Sequence, residues 1–186
     1  MPAPDEAAAV PSGTTAPWPG KRRLLLLVAI PAIQRADGHW LLPSKLVTGM
    51  RAYAERWDGP VVLGLPPGDQ PSAELDNTWW DPDGLPFQVQ ELSFRELAER
   101  GHPVLENTLT MAMLHHELHG LARRCREAGS LFVVCTELTL RTQMQIARST
   151  HGMGPALARN LAWLTLNHRR ALGDIAEANG LQCNGT

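Results

Sequence analysis

Residues 24–30 read LLLLVAI, an unbroken apolar run. A run of that length suits a strand covered on both faces, as in a parallel sheet with helices on either side. It is too short to cross a bilayer, which takes roughly 20 apolar residues, and Pro31 interrupts it. The segment ahead of it carries Asp5 and Glu6, unlike the basic start of a secretion signal. Residues 1–20, MPAPDEAAAVPSGTTAPWPG, are rich in Pro, Ala and Gly and read as a disordered tail preceding a domain over 21–186.

Comparable runs recur along the chain. PVVLGLP from Pro60 predicts a second strand, and alternating Phe87 to Leu92 a third. SLFVVCTEL from Ser130 predicts a β-branched strand, and LQCNG from Leu181 a short last one. Helices are expected between them. One runs from about Lys45 to Trp57, with Ser44 as its cap and Asp58-Gly59-Pro60 as its stop. SFRELAERG is a short helix ended by Gly101, and Glu106 to Ala128 reads as a longer one closed by Gly129. Another begins near Leu140, breaks around 151–155 and resumes to Ala178. Asp69 to Pro86 reads as a long polar loop carrying Trp79-Trp80.

Strands separated by helices imply right-handed crossovers and a parallel α/β sheet. Ligands of such sheets bind outside the carboxyl ends of the strands. The loops after Ile30, Leu65, Val134 and Cys183 are therefore the candidate working edge.

Composition narrows the partners. With 186 residues and 44% hydrophobic content the chain suits one globular domain, and a net charge of -2 gives no electrostatic basis for nucleic acid. Cys125, Cys135 and Cys183 form neither a disulfide framework nor a CxxC knuckle, so a reducing cytosol is the expected setting.

The stretch MLHHELHG comes close to the zinc-protease pattern H-E-x-x-H, but the residue four after His116 is Gly120. On the expected helix His115 and His119 lie one turn apart, bordering the apolar stripe Leu114, Leu118, Leu121, Cys125, with no third ligand evident. No metal site is expected. His168 falls on the stripe Leu157, Leu161, Leu164, Leu172, Ile175 and reads as a core histidine. GHWLLPSK lacks the Gly-Lys of a phosphate-binding loop, and there is no G-x-G-x-x-G. Gly38 still allows close backbone approach, and His39, Ser44 and Lys45 lie near a helix start that can face an anion. Against this stands an ordinary connecting loop.

VVCTEL places Thr136 and Glu137 at a strand's carboxyl end, where a carboxylate can act as a general base, hold substrate hydroxyls, or simply solvate the strand end. Trp79-Trp80 can stack on a sugar or cover the sheet edge, the latter preferred because indoles bury large areas. Arg123-Arg124 and Arg169-Arg170 read as solvated helix faces.

Taken together, LLLLVAIPAI, the glycine-bearing ADGHWLLPSKLVTGMRAYAERW, VVCTEL with its following helix, and ANGLQCNGT resemble the amino-terminal half of a two-domain GT-B glycosyltransferase of the family 4 kind, over about Arg22 to Thr186. The resemblance implies a Rossmann-like acceptor-side domain, with a donor-binding carboxyl-terminal domain absent from this chain. It implies transfer of a sugar from a nucleotide-sugar donor, without a metal or other cofactor, to a glycan, lipid or small-molecule acceptor. A peripheral membrane contact is left open. Glu137 then corresponds to the catalytic acid of that strand end, although many members carry a histidine nearby where this chain has Cys-Thr-Glu. Gly38, His39 and Lys45 correspond to the first loop, Thr136 to the strand end, and Asn184 and Gly185 to the turn facing the cleft. A fragment of this kind is expected to be inactive alone. The competing expectation is a non-catalytic α/β binding or interaction module.

Overall fold

The apolar runs become the middle of a sheet. A computed structural model describes residues 22–71, 75–136, 140–151 and 154–183, the side chains of 151 and 181–183 excepted. In chain order the elements are β1 Arg23–Leu27, β2 Trp40–Pro43, α1 Ser44–Arg56, β3 Val61–Leu65, β4 Asn77–Trp80, β5 Gln88–Glu91, α2 Phe94–Arg100, β6 Thr108–Met113, α3 Leu121–Glu127, β7 Leu131–Thr136, α4 Leu140–His151, α5 Pro155–Glu177 and β8 Gly180–Cys183. Six strands form one sheet in the order β5-β3-β1-β6-β7-β8, while β2 and β4 form a separate ribbon. Every pairing in the large sheet is parallel. The α/β class with a Rossmann-like parallel sheet flanked by helices is therefore the observed one.

The chain builds outward from β1 to β3 and β5, then returns to the other side of β1 for β6, β7 and β8. This reversal explains the two cores. Leu24, Leu26, Val61, Leu63 and Leu65 point to the face where Val47 and Met50 of α1 pack. Leu25, Leu27, Val62, Phe132 and Val134 point to the opposite face, against Phe94 and Leu97 of α2 and Leu121 and Cys125 of α3. Side chains alternate between the faces along a strand, so β1 needs apolar residues at every position from Leu24 to Leu27.

Gly64 lies within that packing with no room for a side chain. A Cβ there would stand 2.6 Å from Leu27 Cδ2 and 2.8 Å from Leu92 Cδ1. Gly64→Ala overpacks the core and is expected to cost about 1–2 kcal/mol in urea unfolding, since both leucines must move.

Several expectations are corrected. The helix over Glu106–Ala128 is instead strand β6, a 3-10 turn at His116–Leu118 and the short helix α3. Asn107 has φ 52 and Gly120 has φ 92, left-handed conformations that an uninterrupted helix does not contain. Thr108 and Thr110 are fully buried, with Thr108 Oγ1 3.1 Å from Thr110 Oγ1 and 3.0 Å from Ser130 Oγ. Pairing with β1 and β7 thus overrides the helical preference of Leu, Met and Ala.

The loop Asp69–Pro86 contains β4, whose Trp80 and Trp79 pair opposite Trp40 and Leu41 of β2. Trp80 packs on the α1-side core and its Nε1 donates to Leu42 O at 3.2 Å, whereas Trp79 is exposed beneath the Arg35 guanidinium at 5.1 Å. The pair belongs to the ribbon and not to the edge of the main sheet.

Ser44 does not cap α1. Pro43 occupies the cap position, and the Ser44 hydroxyl lies 3.3 Å from Thr78 Oγ1, stitching the helix start to β4. On α5 the buried positions are Leu157, Ala171 and Asp174, while Leu172 is 51% exposed. His168 is accordingly only half-buried. Arg124 is no free surface charge either: its guanidinium donates to Ala98 O and Glu99 O and reaches Glu127 at 2.7 Å, joining α3 to α2.

Candidate functional site

The strand order reverses between β1 and β6, and the loops leaving their carboxyl ends flank that point. A parallel sheet offers its ligand crevice there, because the two chains diverge to opposite sides and leave a gap. Residues 28–39 follow β1, and residues 114–120, LHHELHG, follow β6. The histidine-rich stretch is thus at the crevice itself. The loops expected at the working edge leave this one out, because the helical pattern of 106–128 in the sequence conceals the strand that precedes it.

Leu114 is held by its N–H, which donates to Cys135 O at 3.0 Å. His115 caps the 3-10 turn, its Nδ1 accepting from Glu117 N at 3.3 Å. Its ring meets Phe94 at 6.0 Å edge-on and His116 at 4.3 Å, and His116 in turn meets Trp163 of α5 at 5.7 Å. Trp163 is 49% exposed, so an aromatic row runs from the core to solvent along this edge.

His119 makes the deepest connection. Its Nδ1 lies 2.8 Å from Asp174 Oδ2, and its Nε2 lies 3.3 Å from Asn167 Oδ1. The second Asp174 oxygen accepts from Gly120 N at 2.8 Å. Asn167 Nδ2 already donates to Trp163 O at 2.8 Å, so its oxygen faces the ring as an acceptor. With both nitrogens engaged, His119 is a clamp between the crevice loop and α5. Among the described residues no three His, Cys, Asp or Glu side chains converge as a metal site.

Burial lowers the His115 pKa from its ordinary 6.5, the charges of His116 and His119 lower it further, and Glu117 partly opposes. Geometry agrees, because a protonated Nδ1 could not accept from Glu117 N. The folded state therefore prefers the neutral ring. Its contribution to stability is present above the unfolded value of 6.5 and is lost as pH falls through the lower folded value. Unfolding free energy should decline as pH falls from about 6.5 towards the lower folded value in denaturant titrations, and His115→Asn should flatten the decline.

The residues proposed from sequence are spread over this edge and the ribbon. Gly38 (φ 91) closes a turn in which its N–H donates to Arg35 O at 2.8 Å, within a strap bridged from Gln34 to Trp40. His39 is in the same turn; its backbone N donates to Asp37 Oδ1, and its ring Nδ1 lies 3.1 Å from that oxygen without hydrogen-bond alignment. Asp37 is held below the usual carboxylate range by the Arg35 guanidinium, with a smaller contribution from the His39 N–H. Lys45 is exposed in the first turn of α1, separated from Gly38 by β2. Thr136 ends β7 opposite Cys183 of β8. Glu137, Asn184 and Gly185 lie outside the described residues, immediately after those two paired strand ends.

A doubly wound parallel sheet with its crevice at β1/β6 defines the architectural class. No protein-family model matches the chain, and no curated protein matches its sequence. Among solved structures it is similar to Phytolacca americana UGT2. The apo form gives a TM-score of 0.53 at 12% identity, covering 89% of this chain and 46% of that one. The form complexed with UDP-2fluoro-glucose and pterostilbene gives 0.49 at 12% identity, covering 91% and 49%. This chain therefore spans about half the length of that protein. The fold is glycosyltransferase-like. Among the described residues no helix is long and apolar enough to cross a membrane.

Proposed function

We propose that this chain is the amino-terminal, acceptor-side domain of a two-domain glycosyltransferase of GT-B type with the family 4 layout. It would transfer a sugar from a nucleotide-sugar donor to an acceptor hydroxyl, in a cleft completed by a second domain. The observation that carries this reading is the glycosyltransferase-like fold spanning 89% of this chain but 46% of the apo neighbour. The half-exposed Trp163 and Leu166 support it, as apolar surface that a second domain would cover.

In this reading the acceptor oxygen attacks the anomeric carbon while the bond to the diphosphate breaks, and the hydroxyl proton passes to the Glu137 carboxylate. Orientation is the domain's main task, because an in-line approach supplies much of the rate. Thr136, Asn184 and Gly185 would hold the acceptor at the strand ends. Gly38, His39 and Lys45 would approach the acceptor or donor phosphate from the ribbon side. Acceptors would be a glycan, lipid or small molecule, and no metal or other cofactor is required.

The test joins the chain to a donor-binding GT-B domain and measures UDP release from UDP-glucose with a panel of glycan, lipid and phenolic alcohols. Acceptor-dependent release from the joined protein, absent from the chain alone, is expected. Acceptor binding to the chain with no release from any joined form would instead identify a non-catalytic binding module.

A further inference from the structure

The aromatic row at the crevice ends in a corner. His116 and Trp163 meet edge to face, with ring planes 67° apart and centroids 5.7 Å apart. His116 is exposed and Trp163 is 49% exposed, so the contact leaves ring surface of both open. Rings set at such an angle offer a face and an edge to a third ring, the two arrangements aromatic groups prefer. We propose that this corner is the acceptor subsite for a planar aromatic alcohol, its ring stacked on Trp163 and one oxygen at His116. The inference rests on the proposed acceptor-side reading and names the class of acceptor.

Position supports it first. His116 belongs to the loop that leaves β6, beside the point where the strand order reverses. A ligand in the crevice of a parallel sheet lies against that loop. Trp163 reaches the same loop from α5, on the side where a second domain would complete the cleft.

The corner is also held from behind. Asn167 Nδ2 donates to Trp163 O at 2.8 Å, and Asn167 Oδ1 lies 3.3 Å from His119 Nε2. Asp174, on the same helix, accepts from Gly120 N and lies 2.8 Å from His119 Nδ1. The turn bearing Trp163 is thus tied through polar side chains to the loop bearing His116. From the other side His115, whose Nδ1 accepts from Glu117 N, brings its ring to 4.3 Å from that of His116. A buried carboxylate is costly to keep, and locking one ring against another is what a preformed binding surface requires.

The groups left free set the ligand's class. His119, Asn167 and Asp174 are engaged with one another and the backbone. Among the described residues the His116 ring makes ring contacts and no hydrogen bond. Ring surface with few free polar atoms matches a flat apolar molecule carrying one hydroxyl. A sugar brings a hydroxyl on most of its carbons and needs more partners than this corner supplies.

The experiment titrates the 5-fluorotryptophan-labelled chain with 2-naphthol, its methyl ether and methyl glucoside, by fluorine NMR and calorimetry. The resonance lost in a Trp163→Phe variant should move saturably with 2-naphthol. Trp163→Ala should weaken that binding by about three- to tenfold, the range for one aromatic pair. The methyl ether should bind about threefold more weakly than 2-naphthol to the parent, and equally to His116→Phe, which keeps a ring but no nitrogen. Trp79→Ala, at the exposed tryptophan of the ribbon, should change no affinity. An unmoved Trp163 resonance, or equal losses in Trp79→Ala and Trp163→Ala, would overturn the proposal. Tighter binding of methyl glucoside than of 2-naphthol would overturn it too, by assigning the corner to a sugar. In the joined protein Trp163→Ala should raise KM for 2-naphthol and leave kcat little changed. Transfer with that KM unmoved would remove the subsite and keep the transferase. Binding at Trp163 without transfer from any joined form would keep the subsite and remove the transferase.

Discussion

Asp174→Ala is expected to lower the unfolding free energy by about 3 kcal/mol, read as a fall in Tm of roughly 6–12 °C. The Asp174 side chain is 11% exposed and its His119 partner 16%, so little water can replace the lost contacts. One carboxylate oxygen accepts from the Gly120 backbone and the other faces His119 Nδ1. Alanine leaves both donors stranded, and each unsatisfied buried donor costs roughly 1–3 kcal/mol.

Asp174→Asn separates the two contacts. The asparagine oxygen can still accept from Gly120 N, while its amide must face His119, so roughly half the loss is expected. A double-mutant cycle with His119→Ala should be strongly non-additive, because removing either partner already breaks the clamp. Additive effects would show that α5 and the crevice loop are stabilised independently. An Asp174→Ala protein within 2 °C of the parent would show that the clamp contributes little.

The loop this clamp holds was visible in sequence only as a puzzle. The strands β1, β3 and β7 were legible because an apolar run buried on both faces leaves little alternative, and α1, α2, α4 and α5 because helical periodicity and stop residues marked them, even though the cap expected for α1 was the wrong residue. The strand β6 was not. Its buried face carries Thr108, Thr110 and Ala112, while Leu109, Met111 and Met113 are half-buried on the other, so its alternation of size and polarity is inverted. That arrangement works because Ser130, on the turn before β7, satisfies the threonine hydroxyl. Such a partner is known only once the sheet is assembled.

The residues of the apolar stripe expected there, Leu118, Leu121 and Cys125, are nonetheless buried. Hydrophobicity identified what goes inside but not the backbone that takes it there. The β2–β4 ribbon escaped for a related reason, since Leu41 pairs with Trp79 across a long stretch of intervening chain. Asp174 left one usable signal: an acidic residue three positions after the buried Ala171, on the inward side of α5. A carboxylate placed there requires internal donors, and Gly120 and His119 provide them.

On the proposed function, Glu137→Gln, introduced into the chain joined to a donor-binding GT-B domain, is expected to reduce turnover by a factor of about 10²–10³ with substrate affinity little changed. Glutamine keeps the volume and one acceptor oxygen but cannot take the hydroxyl proton. The loss should therefore fall on the chemical step and leave acceptor binding intact. Thr136 is paired opposite Cys183 at the strand ends, and Glu137 is the next residue along the chain. Glu137→Asp discriminates further, because a shortened carboxylate retains the base but retracts it, giving a smaller reduction. Steady-state transfer from UDP-glucose measures all three proteins. Turnover of Glu137→Gln within about threefold of the parent would remove Glu137 from the reaction. The crevice between β1 and β6 would then be left to find its base among the polar groups of residues 114–120.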